Sequence, residues 1–224
     1  MSWPVLTPNE RRVLGVLVEK AKTTPDVYPL SLNSLVTGSN QKSNREPLMN
    51  LSDLDVEETL DSAQKKGLVV KVTGGRVERW RHVLYEVWQV GKVELAILAE
   101  LLLRGPQTEG ELRGRASRME PIDDLESLRN TLKPLAERRL VVYLTPEGRR
   151  GTIVTHGFHS AEELEQLRAV QSDFEREPEL VVRATPANDT GTEIELLRTR
   201  IEKLEQTVGA LSEQLARLSQ SLGG

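Results

Sequence analysis

Seven cations stand where turns and loops would present them to a phosphate. Arg76, Arg79 and Arg81 follow a Gly-Gly turn, Arg149 and Arg150 lie in a Pro-Glu-Gly turn, and Lys42 and Arg45 lie in a polar loop. Guanidinium groups match phosphate oxygens with paired N–H donors, so this set suits a nucleic-acid backbone. The competing reading is an ordinary solvated surface. The polar loop also holds Asn40, Gln41, Ser43 and Asn44. Their amides and hydroxyls either offer donors to a protein partner or cap neighbouring backbone groups.

Other chemistry is thinly represented. His156 and His159 are spaced three apart near a strand end, a weak metal signal without cysteine or a definite carboxylate partner. No nucleophile-elbow pattern and no phosphate-cradling glycine loop is present, so a non-enzymatic chain with no metal and no cofactor is expected. His82, Trp3, Trp80 and Trp88 read as packing residues, with Trp80 alternatively placed to stack on a base.

The elements that would carry these residues occur twice. At one constant offset Val56 pairs with Leu128, Leu60 with Leu132, Ala63 with Leu135, Leu68 with Leu140 and Val69 with Val141. Upstream, at a second offset, Val13 pairs with Ile97, Leu14 with Leu98, Leu17 with Leu101 and Val18 with Leu102. Each copy reads as three helices followed by a two-stranded hairpin. Thr7 with Pro8 and Glu10 starts the first helix as a capping box with a preorganised proline. Ser31, Ser52, Thr108 and Asp123 or Asp124 are the other start signals, and Gly67 and Gly105 are stops. The segment Gly38–Asn50 reads as an ordered loop or a broken helix, and Pro134 is a misfit inside the second copy's third helix. That third helix is mixed in charge, whereas the first copy's carries Asp53, Asp55, Glu57, Glu58 and Asp61, which repel phosphate.

Ser160 and Glu163 cap a further short helix, and a linker precedes the most regular pattern of the chain. Ile194, Leu197, Ile201, Leu204, Val208, Leu211, Leu215, Leu218 and Leu222 alternate spacings of three and four. This is a heptad seam with β-branched a residues early and Leu at every d, which favours a parallel homodimer. A single amphipathic helix folding back on its own chain is the alternative. The fold class expected is mostly α with small β-hairpins (α+β): tandem winged-helix domains followed by a C-terminal coiled-coil helix. The boundaries are residues 5–89, 90–158, a short helix and linker at 159–192, and the coiled coil at 193–222.

Bulk composition narrows the setting. The chain has no cysteine, which excludes disulfides and fits a reducing cytoplasm. No apolar run is long enough to span a bilayer, so no membrane association is expected. Residues 1–160 hold 23 Lys/Arg against 21 Asp/Glu, so any basic face must come from arrangement rather than excess.

The run Ser39-Asn40-Gln41-Lys42-Ser43-Asn44-Arg45-Glu46-Pro47, the turn Leu103-Arg104-Gly105-Pro106-Gln107-Thr108 and Gly110-Glu111-Leu112-Arg113 resemble the YceH family. The likeness covers about residues 5–158, with the linker and heptad tail outside it. It implies a tandem winged-helix fold in a bacterial cytosol and supplies no activity. The expectation is a dimeric DNA-binding or transcription-regulating factor. The alternative is a protein–protein scaffold with winged helices as docking surfaces.

Overall fold

The computed structural model describes residues 3–75 and 77–176. Arg76 and the whole heptad seam lie outside the described residues. Within them are eight α-helices and two three-stranded antiparallel sheets, an α+β arrangement. None of these helices is long and apolar enough to cross a membrane.

The first copy comprises α1 (Pro8–Thr23), β1 (Leu30–Ser31), α2 (Leu32–Ser39), α3 (Asp53–Lys65), β2 (Val69–Val72) and β3 (Arg79–His82). A short helix, α4 (Leu84–Trp88), leads to the second copy: α5 (Lys92–Arg104), β4 (Gln107–Thr108), α6 (Glu109–Ala116), α7 (Leu125–Glu137), β5 (Val141–Tyr143) and β6 (Ile153–His156). Then α8 runs from Ala161 to Arg176. The sheet orders match, β1-β3-β2 and β4-β6-β5. Val69 faces His82 in one register and Val141 faces His156 in the other.

Local chemistry starts these helices where side chains satisfy free N–H groups. Thr7 accepts from Glu10 N while Glu10 accepts from Thr7 N; Ser52 and Asp55, and Thr108 and Glu111, repeat that reciprocal pair. Ser31 and Asp124 cap α2 and α7, and Ser160 with Glu163 starts α8. The segment after Gly38 resolves into one more helical residue, Ser39, and then an irregular loop. α7 continues through Pro134.

The apolar pairs of the repeat are all buried, and residues of both copies form one continuous core. The two copies meet through α1 and α5. Gly15 makes the approach possible, because a Cβ there would stand 2.7 Å from Leu103 Cγ. The chain start also reaches across: Leu6 N donates to Phe158 O at 3.0 Å, and Trp3 Nε1 to Arg138 O at 2.7 Å. Trp88 stacks on Phe158 with ring centres 4.6 Å apart. Trp80 is 5% exposed beneath the Lys71 ammonium, so it packs and does not present a face for a base.

Candidate nucleic-acid interface

The polar loop after α2 is a clasp between the copies. Asn40 closes its base, donating from Nδ2 to Leu51 O at 2.8 Å and accepting from Leu51 N at 2.7 Å. Asn44, in the left-handed region at φ 61°, accepts at Oδ1 from the guanidinium of Arg104 and from Arg118 Nη1. Glu46 N donates to Leu103 O at 2.9 Å. Asn40, Gln41 and Asn44 are therefore occupied within the chain, while Lys42 and Ser43 stay exposed.

The expectation that Arg45 meets a phosphate is corrected. Its guanidinium is buried, forked on Glu19 at 2.5 and 3.2 Å, and it donates further to Gly38 O, Asn44 O and Gln41 Oε1. Truncating one member of a buried pair strands the other charge. Arg45→Met is therefore expected to cost about 3–5 kcal/mol, read as a shift of the urea midpoint at unchanged slope. A shift below about 1 kcal/mol would show the clasp to be dispensable.

The hairpin cations divide differently. On β3, Trp80 and His82 point inward while Arg79 and Arg81 are exposed. Arg79 Nη1 donates to Pro29 O at 2.8 Å. The next charges are mutually compensated, Lys71 Nζ lying 2.9 Å from Glu78. In the second copy Arg149 and Arg150 are exposed at a turn bracketed by Gly148 and Gly151, both at positive φ. Thr152 fixes that turn, donating to Pro146 O at 3.0 Å and accepting from Arg149 N at 3.2 Å.

The third helices are the same length and lie 72 positions apart, yet their exposed faces differ in charge. Glu57 corresponds to Arg129, Glu58 to Asn130 and Asp61 to Lys133, every one exposed. Residues 53–82 hold six Lys/Arg and six Asp/Glu, whereas residues 125–154 hold six and three. Several second-copy arginines are already engaged. Arg129 pairs with Glu109 at 2.7 Å, Arg115 with Glu111 at 3.3 Å, and Arg113 donates to Asp123 O at 3.2 Å. Among the described residues Lys133, Arg149 and Arg150 have no carboxylate within ion-pair distance. The first copy instead frames a cavity of about 470 Å³ lined by Glu57, Asp61 and Glu78, by Lys71, which is paired to Glu78, and by Leu32, Val77 and Trp80.

Two features escape the sequence. Arg12 is buried, although nothing in its neighbourhood distinguishes it from a surface helix residue. His82 and His156 are repeat equivalents, each accepting at Nδ1 from the N–H two residues on. The charge contrast between α3 and α7, by comparison, is legible in the sequence, and the structure places it on exposed positions.

Residues 6–150 match a family model described as a protein of unknown function, DUF480. UPF0502 protein RB6530 of Rhodopirellula baltica is 51% identical over 159 residues, 70% of this chain and 67% of that protein. A UPF0502 protein of Pseudoalteromonas atlantica is 40% identical over 229 residues, 97% of this chain and 96% of its own length. One from Hahella chejuensis is 42% identical over 226 residues, 96% of this chain and 97% of its own. Spans of 96–97% take in most of the heptad segment, so the likeness extends past the boundary at 158 expected from the motifs. The chain belongs to the DUF480, or UPF0502, family of uncharacterised bacterial proteins.

Proposed function

We propose that the protein is a non-enzymatic tandem winged-helix factor of the bacterial cytoplasm that binds DNA through its second copy, paired into a homodimer by its C-terminal heptads. The order helix, strand, helix, helix, hairpin supports reading each copy as a winged helix, and the YceH-like motifs agree with that reading. Winged helices commonly set the third helix in the major groove and the hairpin on phosphates. The observation that carries the proposal is the loss of carboxylates: Arg129 (paired with Glu109), Asn130 and Lys133 stand where the first copy has Glu57, Glu58 and Asp61, leaving Lys133, Arg149 and Arg150 uncompensated. A dimer brings two such faces together, so weak phosphate contacts gain by effective concentration.

Titrating a fluorescent duplex with the full chain at about 50 and 200 mM salt tests this. Six cations, three per chain, imply a slope of log K against log salt near about −5. No binding at the lower salt rejects the proposal.

A second reading has its own support. The cavity of the first copy, where Glu57, Asp61 and Glu78 outnumber Lys71, suits a basic segment of a protein partner better than DNA. Pull-down from the native host with and without nuclease separates the two, because only DNA-mediated capture disappears on nuclease treatment.

A further inference from the structure

A different cavity lies where the two copies meet. It measures about 220 Å³, and its walls include Arg11, Arg12 and Arg104 from the helices and His156 and His159 from the end of the second sheet. Glu46 is the one carboxylate among the described residues that line it.

Arg12 is the unusual member. It is 2% exposed, yet its guanidinium meets only backbone carbonyls, Ser39 O at 2.8 Å and Pro47 O at 2.5 Å. Its Nε has no hydrogen-bond partner. An arginine cannot shed its proton, so a buried one needs a counter-charge, and carbonyl dipoles supply only part of it. Burial, with Arg45 nearby, pushes the Arg12 pKa down to about 10, the sign of a cation lacking compensation. Arg45 and Arg104 each have a glutamate, Glu19 and Glu100; Arg12 has none.

The rest of the wall points the same way. Arg11 is 9% exposed, and although one arm meets Glu163 at 2.5 Å, its Nε is also buried and unpartnered. Burial holds both histidines neutral; His156 contributes a ring N–H without adding charge, while the His159 ring is engaged by Thr155 Oγ1 at Nε2 and faces Glu163 from Nδ1. Since His156 Nδ1 accepts from Phe158 N, its donor is Nε2. The volume is below that of pockets for drug-sized molecules and suits a few heavy atoms.

We infer that this cavity is a binding site for a small oxyanion, a phosphate or carboxylate group, with Arg12 as its principal counter-charge and Arg11 as a second donor. It is separate from the DNA face: the ligand sits where α1, the clasp and β6 converge, and holds the copies together from within.

Calorimetric titration of the full chain tests this, using inorganic phosphate and malonate in separate arms, with chloride adjusted to constant ionic strength. Saturable binding of one anion per chain is expected in at least one arm, and the stronger arm assigns phosphate or carboxylate chemistry. Arg11→Gln is expected to weaken it about tenfold or more, whereas Lys92→Gln, exposed at the start of α5, leaves it unchanged. Met49→Trp, which fills the cavity from its loop, provides a variant that keeps every charge, and it is expected to abolish binding. No saturable heat to about 20 mM of either anion, or wild-type affinity in a folded Met49→Trp, overturns the inference.

Discussion

Replacing Arg149 and Arg150 together by glutamate is expected to lower duplex affinity by at least about 100-fold at low salt. The two arginines are exposed, and no carboxylate neutralises them within the described residues. In the proposed dimer, four phosphate contacts would be lost and four repulsive charges gained. Four released counterions are worth about 3.6 in the slope of log K against log salt, so the variant's slope should flatten from about −5 to about −2. The loss should be uniform across duplex sequences, because phosphate contacts position a protein without reading bases. The matching change on the first copy has the opposite sign. Glu57→Arg with Asp61→Lys removes repulsion, so affinity is expected to hold or rise. Fluorescence anisotropy with one random-sequence duplex measures both. Equal losses from the two variants would mean that both copies touch DNA and that the charge contrast is irrelevant.

The second large effect concerns acid. His82 and His156 are buried, the His159 ring is largely covered, and all three are held neutral: burial pushes His82 and His159 down to about 4 and His156 well below the usual value. Glu86 opposes the shift at His82 while Lys22 and Arg81 reinforce it; Glu163 opposes and Arg11 reinforces it at His159. In the unfolded chain each titrates near about 6.5. Their stabilising contribution is therefore complete above about pH 6.5 and is lost as the pH falls, since the unfolded state then binds three protons that the folded state refuses. The slope approaches about 4 kcal/mol per pH unit, and the loss reaches about 6 kcal/mol at pH 5. Glu163 works in a lower window. Arg11 and the Ser160 N–H overcome its burial and hold its pKa to about 2, so that contribution persists until the pH drops below the ordinary carboxylate range. Urea midpoints measured at pH 7.5 and 5 should fall steeply. Equal midpoints would mean that the three rings do titrate in the fold.

Features set by neighbours along the chain were legible in the sequence. Thr7 with Glu10, Ser52 with Asp55 and Thr108 with Glu111 start helices because the partners lie within one turn, and the apolar pairs are buried because both copies use one pattern. Features made by distant partners were not legible. β1 and β4 are two residues each and exist through pairing with β3 and β6. The clasp was open between capping and partner binding because Asn44 meets Arg104 and Arg118 only after the copies dock. Arg45 and Arg12 sit among residues typical of a surface, and packing alone decides their burial.

Hydrogen exchange on the full chain, with and without a short duplex at low salt, locates the contact directly. Protection confined to residues 125–137 and 146–151, with 53–65 unchanged, is the result expected of a second-copy DNA face. Protection at 53–65, or none at 125–151, contradicts it.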